Sequence, residues 1–370
     1  CSTSTMAALM DIVPPGVVTG DDLLRLFEHA RDNNYAIPAV NCVSSSAINA
    51  VLEAARDAKA PVIIQLSNGG CSFYAGKGLK NANEMASVMG AVAAALHVRT
   101  MARAYAVPVV LHTDHCARKL LSWLDGMIEA DEDYFARHGE PLFSSHTLDL
   151  SEEPLKQNID TCVHYLTRLS AVNCLLEVEL GASGGADEGM DGTSAENASL
   201  YTQPEEVCWA FETLSKVSPA FLIAPAFGNV HGAYKPPRVL LQPAILESAQ
   251  RYIVEEKGVV SRGPKPVLYA FHGGSGANEH DIRAAIAAGV VKMNVDTDTQ
   301  WAYWNGLREY EASKRPYLQT QVGNPEGQEK PNKKHYDTRV WLRRAELGLA
   351  DRVKGTIHDL GGAGVTAARK

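Results

Sequence analysis

Short apolar, β-branched runs alternate with helix-like stretches along nearly the whole chain. The runs are AIPAVNC (36–42), PVIIQLS (61–67), VPVVLHTDH (107–115), PLFSSHTLD (141–149), CLLEVELG (174–181), AFLIAPAFG (220–228), PVLYAFHGG (266–274) and VVKMNVDTD (290–298). SSSAINAVLEAARDAKA follows the first, ARKLLSWLDGMIEADEDYFARHG the third and EPLKQNIDTCVHYLTRLSAV the fourth. Such alternation demands a parallel sheet. Eight units favour closure into an α/β (β/α)8 TIM barrel, for which about 250 residues is typical. The surplus of a 370-residue chain goes to an N-terminal helix over 21–34, to long crossovers and to a C-terminal helical extension. Thr202 with Glu205 reads as a capping box opening a helix near 203–216. An open doubly wound sheet satisfies the same count, but no GxGxxG opens the first unit, which lowers the dinucleotide-binding version. We therefore read 1–370 as one barrel domain, with flexible ends at 1–13 and 363–370.

A barrel makes a further demand. Its chemistry gathers at the C-terminal ends of the strands, and the unusual polar residues sit there. Strand one ends in Asn41, strand two in Ser67-Asn68-Gly69-Gly70 and strand three in Asp114-His115. Strand five carries Glu177 and Glu179, strand six ends in NVHG (229–232), strand seven in HGGSG (272–276), and strand eight carries Asn294, Asp296 and Asp298. His115, His231 and His272 come from three strand ends, and three converging imidazoles would make a zinc site with an open position. His112 competes with His115, because strand alternation puts His112 on the Asp114 face and His115 on the other unless the strand has ended. Glu177 and Glu179 share a face; they point into the barrel, toward a metal or lysine, or form a structural ion pair with a core cation. HGGSG, NVHG and SNGG read as turns that let backbone N–H groups approach phosphate. The stretch 323–341 is rich in Pro, Gly and Lys and reads as a solvated loop, with Lys333, Lys334 and Arg339 available to a phosphate or a subunit contact.

Bulk properties narrow the partners. A net charge of −8 argues against broad nucleic-acid binding. No apolar run reaches the roughly 18 residues of a membrane span. Seven cysteines, an odd number without a CxxC pair, fit a reducing compartment better than a disulfide framework. The expected location is the cytoplasm, or the plastid stroma if the Ser/Thr-rich start CSTSTM is the remnant of a transit peptide.

HTDHC, SNGG, GKG (76–78), PLFSSH, EVELG, LYTQPEEV, FGNVHG, FHGGSG, KMNVDTDTQWA, GNPEG and PNKKHYDTRVW together resemble the class II, zinc-dependent fructose-1,6-bisphosphate aldolases, in the longer form found in many bacteria and fungi. The likeness is colinear over about residues 14–345. It implies a homodimeric barrel that reversibly cleaves fructose 1,6-bisphosphate to dihydroxyacetone phosphate and glyceraldehyde 3-phosphate, with a zinc-stabilised enediolate and no Schiff base. It implies His115, His231 and His272 as zinc ligands, and Glu179 near a second zinc position. Asp114 is implied as the group that takes the C4 hydroxyl proton, and Asn294 as the holder of the dihydroxyacetone part. Gly232, Gly273, Ser275, Asp296 and Thr297 match the ketose-phosphate pocket, beside a Na⁺ or K⁺ ion on backbone carbonyls. Asn41, Ser67 and Arg339 match the second phosphate site, with Arg339 reaching over from the partner subunit.

One stretch departs from the family. Two adjacent glutamates usually follow a Gly-Gly pair, the second being the proton-exchanging base; here the run is Gly184, Gly185, Ala186, Asp187, Glu188. The resemblance aligns the base with Asp187, one methylene short, and Glu188 serves if the loop shifts. An aldolase for another ketose bisphosphate, such as tagatose 1,6-bisphosphate, would share metal, phosphates and barrel. A barrel metallohydrolase is the alternative from another class, and would more often show an HxH pair.

Overall fold

The computed structural model describes residues 9–181, 184–185, 201–231, 241–259 and 263–367, with backbone alone for 184, 185, 230 and 231. All eight expected strands form: β1 Ile37–Asn41, β2 Val62–Ser67, β3 Pro108–Ala117, β4 Ser145–Asp149, β5 Leu175–Leu180, β6 Phe221–Pro225, β7 Tyr269–Phe271 and β8 Val290–Val295. Each pairs in parallel with its sequence neighbours, and β8 pairs with β1 to close the (β/α)8 barrel. A two-residue strand, Gly16–Val17, adds to the start of β3. The fourth strand is shorter than its apolar run: residues 141–144 lead into it without pairing as strand.

Helices follow the strands. They are α1 Gly20–Asp32, α2 Ser45–Ala58, α3 Asn68–Ala75, α4 Met85–Tyr105, α5 Leu121–His138, α6 Leu155–Ala171, α7 Pro204–Ser215, α8 Ala244–Arg251, α9 Glu279–Ala287, α10 Thr297–Lys314, α11 Lys333–Tyr336 and α12 Thr338–Asp359. Local chemistry explains several starts. The Ser44 hydroxyl accepts the Ala47 N–H at 3.2 Å to cap α2, and the Asn278 side chain accepts the Asp281 N–H at 2.9 Å to cap α9. The capping box of α7 lies one residue later than the sequence reading. Gln203 is the N-cap, its N–H bonded to Glu206 at 2.7 Å, because the Thr202 hydroxyl is engaged elsewhere, donating to Leu180 O and accepting from Ala226 N–H.

The barrel has a floor and a mouth. At the N-terminal ends of the strands, Ile37, Ile63, Val110, Leu175 and Leu222 are fully buried and α1 closes over them with Leu23, Leu26 and Phe27. Burying side chains of this size stabilises by about 1.5–3 kcal/mol each. The chain ends that read as flexible are tied into this floor where described. Leu9 and Val13 are buried, and the Leu9 N–H bonds to Val365 O at 3.0 Å.

Two further readings need correction. SNGG is no loose turn: Ser67 is the N-cap of α3, its hydroxyl accepting the Gly70 N–H at 3.2 Å. The stretch 323–341 is no plain loop. It folds into a hairpin, Val322–Asn324 against Gly327–Pro331, then α11 and the start of α12. A fully buried Asn332 replaces an apolar core there, donating to Thr320 O and Gly323 O at 2.9 Å. The C-terminal helix α12 lies against α10 backbone to backbone. A Cβ on Gly306 would fall 2.3 Å from Arg344 O, and one on Gly348 2.5 Å from Ala302 O. Glycine alone permits that approach.

Candidate active site

The strand ends deliver Asn41, Asp114, His115, Glu179, His272, Asn294 and Asp296 to the mouth, whereas Ser67 caps α3, Asn68 bonds Glu84 and Asp298 pairs with Arg352 of α12. A cavity of about 130 Å³ opens there, lined by Asn41, Gln65, Asp114, His115, Gly273, Ser275, Asn294, Asp296 and Thr297. The backbone treats His112 and His115 differently. Thr113 pairs with His146, but the next pairing, Cys116 with Leu148, has gained a residue on β3, and His115 adopts φ of +45°. This bulge turns His115 toward the same cavity as Asp114. His112 stays regular and buried below it, hydrogen-bonded to Ser145 Oγ and Thr147 Oγ1 at 2.7 Å each. Burial, with Lys292 nearby, pushes its imidazole well below the ordinary range.

His115, Glu179 and His272 form one donor cluster, with a ligand atom from each within 4.8 Å of the others. Glu179 Oε2 lies 3.2 Å from His272 Nδ1 and 3.5 Å from His115 Nδ1, and the two rings stand edge to face at 4.9 Å. The far nitrogen of His272, Nε2, is bonded to Glu177 Oε1 at 2.7 Å, so the carboxylate fixes the ring and leaves Nδ1 toward the cluster. Glu177 Oε1 also accepts from Lys292 Nζ at 2.8 Å. Thus the two glutamates share a face as expected and grip His272 from its two nitrogens, while Glu179 also meets His115 and Glu177 a core lysine.

The electrostatics point the same way. Burial works against charge throughout, yet the partners win. His272 and His115 hold the Glu179 carboxyl well below the usual range, while Glu179 and Glu177 raise His272 to about 9. Asp114, with Asp149 and Glu179, lifts His115 well above its ordinary value. Lys292 does most to hold Glu177 down. Buried carboxylates packed against two imidazoles favour positive charge at this point. A donor set of two imidazoles and a carboxylate fits a divalent cation, zinc in particular.

Beside the cluster, Asp114 Oδ1 and Oδ2 face the amides of Asn294 and Asn41, at 3.5 Å each. Asn294 Oδ1 in turn takes a hydrogen bond from Lys292 at 2.8 Å, and Gln65 Nε2 donates to Asn41 Oδ1 at 2.6 Å. Thr297 opens the eighteen-residue α10, whose N-terminus is aimed at the rim beside Gly273 and Ser275. An anion is favoured at such an end. His231 pairs through its backbone with Gly185, and its side chain lies outside the described residues. Asp187, Glu188 and Gly232 lie outside them entirely. Arg339 does not line this cavity; it is exposed and paired with Asp337 at 2.7 Å.

Sequence reasoning passed over Gln65, Lys292 and Asp149. The first two had a signal, a polar side chain at an inward position of an otherwise apolar strand. Asp149, whose Oδ2 lies 3.4 Å from His115 Nδ1, ends β4.

Comparison with known proteins gives the family. The family model described as fructose-bisphosphate aldolase class-II matches residues 21–365. A fructose-bisphosphate aldolase of Aspergillus oryzae is 54% identical over 94% of this chain and 96% of its own length. The fructose-bisphosphate aldolase class 2 of Escherichia coli K12 is 50% identical over 96% and 98%. A crystal structure of a fructose-bisphosphate aldolase from Campylobacter jejuni superposes with a TM-score of 0.88 at 52% identity, covering 96% of this chain and 99% of that one.

Proposed function

Because this chain belongs to the class II fructose-bisphosphate aldolase family, we propose the following division of labour for its reaction, the reversible cleavage of fructose 1,6-bisphosphate to dihydroxyacetone phosphate and glyceraldehyde 3-phosphate. The observation that carries it is the cluster of His115, Glu179 and His272 beside Asp114. His115 and His272 hold zinc together with His231, and Glu179 offers a second position. When bound, the zinc supplies a Lewis acid that polarises the substrate carbonyl. Asp114 takes the proton of the C4 hydroxyl as the carbon–carbon bond breaks. Its contacts to Asn41 and Asn294 support that role by fixing the carboxylate. Asn294, itself held by Lys292, orients the dihydroxyacetone part. Asp187 moves the proton at the three-carbon fragment.

The phosphates bind at opposite rims. Gly232, Gly273, Ser275, Asp296 and Thr297 hold the ketose phosphate, supported by the N-terminus of α10, with a Na⁺ or K⁺ ion on nearby carbonyls. Asn41 and Ser67 hold the other phosphate, with Arg339 of a second copy of the chain. Clamping both ends brings the reacting carbons into line. No lysine nucleophile is required. Lys292, the lysine buried at this end among the described residues, spends its ammonium on Glu177 and Asn294 and is not among the residues lining the cavity.

The protein works as a homodimer in this reading. Met85, Met89 and Leu96 form an exposed apolar stripe at helical spacing on α4, with exposed Phe73 beside it on α3, and Trp301 and Trp304 are exposed on α10. Stripes of this kind mark contact surfaces. The stretch Ala82–Tyr105 has the length and apolarity of a membrane span, but almost half of its most apolar window is buried against the fold. Bacterial and fungal relatives favour a cytoplasmic place over a plastid one.

The test is a cleavage assay on purified protein with and without chelator. Loss on chelation, recovery with zinc, and resistance to borohydride in the presence of substrate are the expected results. Cleavage retained in chelator, or borohydride inactivation, would refute the zinc reading. Comparing fructose and tagatose bisphosphates fixes the substrate.

A further inference from the structure

A second cluster of ionisable side chains lies outside the mouth, on the face of the barrel wall that meets the helices. Asp131 of α5, His146 of β4 and Cys174 just before β5 are fully buried and bring donor atoms within 4.8 Å of one another. Its chemistry argues against a metal. His146 Nε2 is bonded directly to Asp131 Oδ2 at 2.7 Å, whereas two ligands of one tetrahedral zinc stand about 3.3 Å apart. Burial pushes the Cys174 thiol far up, away from the thiolate a metal needs. The hydrogen bonds also close without a cation. Asp131 Oδ1 accepts the Phe143 N–H at 2.8 Å, and His146 Nδ1 meets Thr113 Oγ1 at 2.7 Å. A carboxylate only accepts, so Nε2 is the donor to Asp131, and in a neutral imidazole Nδ1 accepts the hydrogen bond of the Thr113 hydroxyl.

The chain therefore runs from a helix, through an imidazole on one strand, to a hydroxyl on the next. Its endpoint matters. Thr113 and His146 are the last residues in regular register before the β3 bulge, and the next two residues of the chain are Asp114 and His115. His115 holds φ of +45°, a left-handed conformation uncommon in residues that carry a side chain and here found inside a strand.

We propose that Thr113, His146 and Asp131 are positioning residues: they pin β3 from outside the barrel so that the bulge presents Asp114 and His115 together to the metal and substrate. The inference rests on the proposed roles of those two residues. The three clamp residues are each buried and polar, and sit where apolar side chains would pack as well. The hydrogen bonds, unlike apolar packing, fix the strand's rotation and its register. Without the hydroxyl, the last regular pair loses its directional tie and the bulge can migrate along β3, moving His115 out of reach of Glu179.

The test uses the full chain with Thr113→Val, which keeps the shape and removes the hydroxyl, and Thr113→Ser, which restores it. Three readouts separate positioning from mere stability. In metal-free protein, amide hydrogen exchange over 112–117 should quicken for Thr113→Val while floor segments keep wild-type rates. Zinc affinity, measured by competition with a chromogenic chelator, should fall about 10–100-fold. The kcat should fall while KM changes little. Thr113→Ser should return all three toward wild type, and Thr113→Ala carries the same expectation as the valine variant if that one does not fold. Exchange that quickens evenly across the molecule, wild-type zinc affinity in the valine variant, or no rescue by serine would overturn the proposal. A wild-type chain that binds no zinc would instead refute the proposed function, and the exchange comparison would still decide the clamp.

Discussion

The floor and the mouth of the barrel are built from the same strands and the same inward-facing positions, yet they answer to opposite physics. At the floor those positions hold Ile37, Ile63, Val110 and Leu175 under Leu26 and Phe27. A pleat or two further along, they hold Asn41, Gln65, Asp114, Glu177 and Glu179. Floor residues gain from leaving water wherever they land, provided the volume fits. Mouth residues lose by it unless a named partner meets each charge. The floor therefore carries stability that is spread over many side chains. The mouth carries function that hangs on single contacts.

That contrast can be broken by variants, and the largest effect is expected at the mouth. His272→Ala removes a zinc donor and should cut cleavage by roughly 10³-fold, the several kcal/mol that a Lewis acid supplies. Metal analysis should show the loss of zinc, and a zinc-loaded, active variant would remove His272 from the site. Phe27→Ala at the floor should do the reverse, costing about 3–5 kcal/mol in denaturant unfolding while leaving kcat of the folded fraction unchanged. A lowered kcat there would mean that floor and mouth are coupled.

Smaller effects sharpen the contrast. Glu177→Gln keeps the shape but weakens the hold on His272 Nε2 and leaves Lys292 without its counter-charge. Zinc affinity should drop about 10–100-fold with little change in KM. The smallest effect belongs to neither end. Hydrogen bonds from Arg343 on α12, at 2.7 and 2.8 Å, hold the Glu53 carboxyl of α2 below its ordinary range against the opposing effect of burial. A depressed carboxyl stabilises the fold above its unfolded value, about 4.3, and that stability is lost as pH falls through the lower folded value. Glu53→Gln should therefore cost at most about 1 kcal/mol at neutral pH and nothing well below pH 4, read from melting curves across that range.

How far the sequence reading reached follows the same division. The floor and the strands were legible because apolar runs bounded by helix-like segments leave few arrangements. Glu177 and Glu179 could be placed on one inward face by alternation alone. Their partners could not, since Lys292 lies three strands along the sheet, and only the curl of the barrel brings it across the interior. Alternation also favoured His112 beside Asp114; a bulge of one residue reverses that, and no local signal in HTDHC marks it. The box at α7 slipped by one because Thr202 found a partner in β5, a contact distant in sequence. The hairpin over 322–331 looked like loop because its centre is an asparagine with satisfied hydrogen bonds in place of an apolar cluster.

The bond between Leu9 and Val365 has a practical side. It brings the two ends of the described chain together beneath the barrel, away from the opening that admits sugar phosphates. A surface anchor or fluorescent label attached on this side would leave substrate entry clear. For anyone immobilising this catalyst, that side is the natural handle.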